Sequence, residues 1–212
     1  MPVIDLTYPI TAGMPVYPGS PAPEIHPIAR FEKNGYRENR LNLCSHTGTH
    51  MDAPHHLLHK GKTLDQYPVE RFVGPGYCID VSSLAGNIIS KASLQPHLED
   101  VSHGDVVLLR TGWGRFWGTT RYFENFPVLS TEAAHKLAAC SLKAVGVDTL
   151  SVDPINTADY PVHRTFLEND VLIIENLAHL DQLPVGGFGR LCCLPLSLAD
   201  ADGAPTRVVA LI

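Results

Sequence analysis

Ser45-His46-Thr47-Gly48-Thr49-His50-Met51-Asp52-Ala53-Pro54-His55-His56 is the stretch on which the reading of this chain turns. His46, His50, Asp52 and His56 fall within eleven positions, beside a flexible glycine and a rigid proline. The i, i+4 spacing of His46 and His50 would place both imidazoles on one helix face. Gly48 and Pro54 argue against a helix, so the stretch is expected to be a strand running into a tight loop. On an extended segment positions 46, 50, 52, 54 and 56 share one side. His46, His50, Asp52 and His56 would then converge on one cavity, as a metal site with a spare imidazole beside it. A solvated loop is the plainer alternative. Against it, five of the eleven histidines (His46, His50, His55, His56, His59) lie within fourteen residues, and three of them (His46, His50 and His56) share a two-residue period with Asp52. Imidazole nitrogen with carboxylate oxygen suits zinc first, with manganese or iron as further candidates.

Composition bounds what surrounds this stretch. At 212 residues, 44% hydrophobic and 18% charged, the chain can bury a substantial core, and residues 1–212 read as one domain. A formal charge of −6 with no basic run carries no nucleic-acid footprint. No apolar window approaches the ~18 residues that span a bilayer. Met1-Pro2-Val3-Ile4-Asp5 lacks the basic start and apolar run of a signal peptide, so a cytoplasmic protein is expected. Five scattered cysteines (Cys44, Cys78, Cys140, Cys192, Cys193) form no CxxC pair and read as buried thiols in a reducing compartment.

Working outward, residues 1–27 carry seven prolines and open on a short β-like run, Val3 to Thr7. A loop this rich in proline, turning at Pro18-Gly19, could hold Tyr17 over a pocket. Residues 39–45 alternate polar and apolar and predict a strand that delivers the histidines. Downstream strands are expected at 76–81, at 105–111 with the buried run Val106-Val107-Leu108-Leu109, at 143–152, at 171–175, at 191–196 and at 207–212. Ser90 should cap a short helix near 91–98, and Ser130 one over 131–141 whose apolar face is Ala134, Leu137, Ala138 and Leu142. A short helical stretch is expected at 163–167. Gly112 to Phe126 holds six of the sixteen aromatics, which predicts a loop lining an apolar pocket or meeting another subunit, with core packing as the alternative. Roughly eight strands with two or three helices make an α/β or α+β fold with a mixed sheet.

Two further residues draw attention. Glu175 closes a run of four aliphatics, and a carboxylate half-buried there needs a cation or hydrogen bonds. His163 lies twelve residues before it, beside a proline-containing loop. With the first cluster they would supply enough ligands for two metals.

The stretch 46–56 matches the H-x-G-T-H-x-D-x-P-x-H signature, and the chain thereby resembles the cyclase family of metal-dependent hydrolases, which includes bacterial kynurenine formamidases and isatin hydrolases. The resemblance extends through Asp5-Leu6, Tyr17-Pro18-Gly19, Ile79-Asp80-Val81-Ser82, Gly146-Val147-Asp148, Ser151-Val152-Asp153-Pro154, His163, Glu175-Asn176-Leu177 and Leu194-Pro195-Leu196. It implies the family's swivelling β/β/α architecture and a homodimer or larger homo-oligomer. It implies that His46, His50, Asp52, His163 and Glu175 ligate one or two zinc ions, with manganese possible as the alternative metal, and that His56 is the catalytic acid/base. Tyr17 stands where the formamidases carry a substrate-contacting Trp. The activity implied is hydrolysis of an amide, with N-formylkynurenine of tryptophan catabolism as the arylformamidase substrate. Hydrolysis of a cyclic amide or lactone, and a non-catalytic metal-binding module, are the competing readings.

Overall fold

The computed structural model describes residues 1–102 and 104–212. In chain order its strands are β1 (Val3–Asp5), β2 (Glu24–Ala29), β3 (Glu38–Asn42), β4 (His50–Asp52), β5 (Val73–Asp80) and β6 (Ile88–Ile89). They continue with β7 (Val106–Arg110), β8 (Val128–Leu129), β9 (Ala144–Val147), β10 (Leu172–Glu175), β11 (Gly186–Pro195) and β12 (Gly203–Leu211). The helices are short: α1 (Phe31–Asn34), α2 (Lys91–Leu94), α3 (Thr131–Ala138) and α4 (Pro161–Glu168).

The main sheet runs β12-β11-β5-β7-β9-β10-β4 and returns to β12, so seven strands close into a mixed barrel, with β1 added on the free stretch of β12. β5, β7, β9 and β10 are mutually parallel, and the remaining ladders are antiparallel. Closure depends on β12 being long. Its start, Gly203 to Pro205, pairs with β4, while Val209 to Leu211 pairs with β1. The barrel leaves no bare edge on this stretch.

Alternation along the strands separates two cores. Cys78, Leu108, Ile174, Met51, Leu191 and Val208 fill the barrel interior. Ile79, Leu109, Val145 and Ile173 face outward beneath α3 and α4, packed on Leu137 and Phe166. Serine caps set the helix starts as expected: Ser90 Oγ accepts from the Ser93 amide, and Ser130 Oγ from the Ala133 amide. The expected apolar face of α3 is buried, but the helix stops at Ala138, three residues early, because Ser141 turns into the left-handed region at φ 54°. Pro161 opens α4 at its first position, where its missing N–H costs nothing.

Gly112 to Phe126 forms two short 3-10 turns. Its aromatics pack on one another around fully buried Tyr122. It is a satellite core, and its Tyr122 hydroxyl donates to Asn176 Oδ1 at 2.8 Å, beside the histidine stretch. The strand expected at 39–45 exists as β3, but it pairs only with β2 as an exposed ribbon outside the barrel. All five cysteines are free, Cys78 and Cys193 buried and the others half-buried.

Candidate metal centre

The site lies on the outer face of the barrel where β4 and β10 run side by side. Met51 points inward, so its neighbours His50 and Asp52 point outward. Glu175 pairs directly with His50 across the ladder, and Ile173 pairs with Asp52. The carboxylate that ends the aliphatic run is thereby laid against the first imidazole cluster. α4 adds His163 from above. His50, Asp52, His163 and Glu175 are all at most 5% exposed.

The expected single extended face is corrected in its first half. Residues 45–49 form turns and bends, and only His50–Asp52 is strand. Gly48 takes φ +65°, and a Cβ there would meet Met14 Cε at 2.7 Å, so the chain needs glycine to double back. His46 returns to the site through that turn rather than through strand periodicity. After β4, Pro54–His56 is a 3-10 turn that folds His56 back against His46, ring centroids 4.1 Å apart. His55 and His59 are exposed and take no part.

Orientation is fixed ring by ring. His50 Nδ1 donates to the Gly48 carbonyl at 2.8 Å, which leaves Nε2 aimed inward. That nitrogen is 3.3 Å from Asp52 Oδ1 and 3.5 Å from Glu175 Oε2. His163 Nδ1 is held by Asp153 Oδ2 at 2.7 Å, and Asp153 is itself held by the Val162 and His163 amides. His163 Nε2 then lies 3.2 Å from Glu175 Oε1 and 3.7 Å from Asp52 Oδ2. His46 Nδ1 meets Asp52 Oδ1 at 2.8 Å, and its Nε2 meets Asp202 Oδ2 at 2.9 Å.

Charge balance shows what such a site needs. Burial penalises the Asp52 carboxylate, but the charges of His50 and His46 pull its pKa well below the usual range. Burial likewise opposes protonation of His46 and His163. Asp52 with Asp202 outweighs it at His46, and Asp153 with Glu175 at His163, lifting each to about 10. The acids draw positive charge onto whatever is near. Asp52 Oδ2 is nevertheless buried with no hydrogen-bond partner. A buried carboxylate oxygen without a donor is costly. A cation answers both observations. Asp52 is common to two groups whose ligand atoms lie within 4.8 Å of one another, His46 with His50 and His163 with Glu175.

A cavity of about 280 Å³ opens over these groups. Tyr17 lies on its wall, its hydroxyl donating to the Ile155 carbonyl at 3.2 Å. Burial, then the neighbouring Tyr160 phenol, pushes the Tyr17 pKa up to about 12. His56 also lines the cavity, and burial followed by the His46 and His163 charges holds its pKa below the ordinary imidazole value, against the pull of Asp52.

Four residues at the site escaped the sequence reading of roles. Asp153 and Asn176 stand inside the stretches that carry the family resemblance, with no spacing that announces a role; Asn176 Nδ2 donates to the Gly48 carbonyl at 3.0 Å and so braces the turn. Tyr160 lines the cavity at φ 48°, a conformation no residue type announces. Asp202 had no signal at all, since only the β4–β12 pairing brings it near.

The chain matches the family model described as "Putative cyclase" over residues 4–154. It is 34% identical over 210 residues to a kynurenine formamidase of Bacillus thuringiensis, covering 97% of this chain and 95% of that one. A solved structure titled as a potential metal-dependent hydrolase with cyclase activity superposes with a TM-score of 0.83 at 32% identity, covering 98% and 96%. An isatin hydrolase bound to thioisatinate superposes with a TM-score of 0.91, covering 99% and 92%, and at 24% identity it shows the common fold. The fold is thus shared along nearly the whole chain. The chain belongs to the cyclase family.

Proposed function

We propose that this chain is a metal-dependent amide hydrolase, and that its reaction is release of formate from an N-formyl arylamine such as N-formylkynurenine. The observation that carries the reading is Asp52, a buried carboxylate shared by two ligand groups with one oxygen left unpartnered. The curated relatives named kynurenine formamidase support the amide class. His46, His50, Asp52, His163 and Glu175 would hold one or two divalent ions, zinc in the first instance and manganese as the alternative. Such an ion supplies Lewis acidity and lowers the pKa of water from ~15.7 towards ~7.

The chain's own residues do the rest. Asp153 and the Gly48 carbonyl orient the inward nitrogens of His163 and His50, so the ligands are preorganised. His56 lines the cavity with its pKa below the ordinary imidazole value, suited to accept a proton and return it to the leaving amine. Tyr17 adds a phenol to the cavity lining as a substrate contact. Leu57, Leu150 and Val16 give the cavity an apolar side that would exclude water from a planar ring.

Residues 1–212 form one domain in this reading, since β1 and β12 at the two ends pair with each other. The barrel with its outer helices is read as the family's swivelling β/β/α architecture. Free cysteines throughout accord with a cytoplasmic setting. No helix among the described residues is long and apolar enough to cross a membrane. The ribbon β2–β3 with α1 exposes Ile28, Phe31, Tyr36 and Leu41 at 51–58%, and two strands alone are marginal, so a second copy of the chain is proposed to cover it. Light scattering should give a dimer or larger homo-oligomer.

The deciding experiment is metal content per chain, on protein purified without chelator, with an assay on N-formylkynurenine. Two ions per chain with formate release is the expected result. No formate release, with hydrolysis of isatin instead, would replace this reading by the cyclic-amide one.

A further inference from the structure

The carboxylate of Asp202 lies in the short link before β12, and its Oδ2 faces two imidazoles at once. His46 Nε2 is 2.9 Å away and His56 Nδ1 is 3.6 Å away. The rings themselves are tilted by 41° against each other. His46 Nδ1 faces Asp52. If that nitrogen carries its lone pair to a cation, Nε2 must carry the proton and needs an acceptor. Asp202 is the acceptor present. The same oxygen stands 3.6 Å from His56 Nδ1, longer than a hydrogen bond but near enough to favour the proton on that nitrogen over Nε2.

We propose that Asp202 is a positioning residue for both histidines, fixing one as a ligand and the other as a proton carrier. This rests on the hydrolase reading above for its catalytic consequence. An aspartate behind an imidazole holds its tautomer and stabilises the imidazolium that forms when it takes a proton. One carboxylate shared between a ligand and an acid/base group has a further effect. Moving His56 would disturb His46 through the common oxygen, so the two rings keep register with each other.

The carboxylate can be removed without opening the fold. Its side chain is 39% exposed, and the contact that closes the barrel here uses the main chain, the Ala53 amide donating to the Asp202 carbonyl at 2.9 Å. Gly203 follows, where a Cβ would meet His46 Cε1 at 2.7 Å, so the link is shaped to let His46 sit against this turn.

The test compares wild type with Asp202→Ala and Asp202→Asn, in two measurements. The first is kinetic, on the metal-loaded enzyme. Asp202→Ala is expected to lower kcat by about 10–100-fold with KM within about two-fold, and Asp202→Asn, which keeps an acceptor oxygen, to recover part of the loss. The second uses metal-free protein isotope-labelled in the histidine ring nitrogens, at mildly alkaline pH. The neutral His56 ring should carry its proton on Nδ1 in wild type and shift to Nε2 in Asp202→Ala. An unchanged tautomer, or a fall confined to KM, overturns the proposal. If wild type hydrolyses neither formyl arylamines nor cyclic amides, the hydrolase reading fails, while the tautomer measurement still decides the role of Asp202.

Discussion

On β4, Met51 points into the barrel with Ile174, while His50 and Asp52, one residue to either side, point out with Glu175. The interior side is apolar and sealed, Met51 being 1% exposed and Ile174 fully buried. The outer side is just as buried yet carries imidazoles and carboxylates, with one oxygen unpartnered. The difference teaches where stability and function separate in this fold. Interior residues lower the free energy of the barrel by leaving water. Outer ones bury imidazoles beside carboxylates, an arrangement that desolvation penalises and mutual attraction offsets, with one Asp52 oxygen left over.

The sharpest way to break the contrast is Asp52→Asn. The amide keeps the shape but loses the charge shared by both ligand groups. We expect metal binding to weaken and kcat to fall by at least ~10²–10³-fold, as when a principal electrostatic group is removed. Against its burial, the His50 and His46 charges hold the Asp52 carboxyl below its usual range, so the urea midpoint of the metal-stripped protein should fall, but by less than in a core variant. A midpoint that falls as far as that of a core variant would show that the outer face is structural.

Met51→Ala is the converse. Truncating a buried Met costs roughly 2–5 kcal/mol, to be read from urea unfolding. Metal per folded chain should be unchanged. Loss of metal in the folded fraction would mean that the interior side of β4 positions the ligands more than its outer contacts do.

Tyr122→Phe probes the link between the satellite core and the site. It leaves Asn176 Oδ1 without its buried donor and should cost about 1–3 kcal/mol, visible as a lower melting temperature. Since Asn176 braces the Gly48 turn, kcat should drop modestly as well; an unchanged kcat would uncouple the aromatic cluster from the site.

The smallest effect belongs to a pair away from the site. The hydrogen bond from Arg110 outweighs burial at Asp80 and holds its carboxyl well below the usual range. A depressed folded pKa contributes stability above the unfolded value, near ~4, and that stability is lost as pH falls through the folded value. Asp80→Asn should therefore destabilise at neutral pH by about 1 kcal/mol or less and flatten the acid limb of the stability curve. An unaltered acid limb would show the pair to be idle.

Much of the candidate site was legible because the side chains that can hold a cation are few in kind and dense in this stretch. His46, His50, Asp52 and His56 announced themselves by density, and Glu175 by standing at the end of an aliphatic run. The serine caps at 90 and 130 were legible for a local reason, since the capped amides lie three residues on. The path of 45–49 was misread. Period-two reasoning assumes a strand, and Gly48 in a left-handed turn replaces it with a bend that reaches the same cavity. The aromatic-rich segment was ambiguous because aromatics serve pockets, interfaces and cores alike, and packing around Tyr122 made it a core.

What the sequence determined by itself was a chemical inventory and its local grammar: which side chains could hold a cation, where strands alternate, where helices begin. Those properties depend on neighbours within a few residues. Tertiary structure alone decided that β12 would close onto β4, that His50 would face Glu175 across 125 positions of chain, and that Asp202 would stand behind two histidines. Such contacts arise from the closure of a barrel, whose register depends on every strand between them, and no local stretch of residues carries that information.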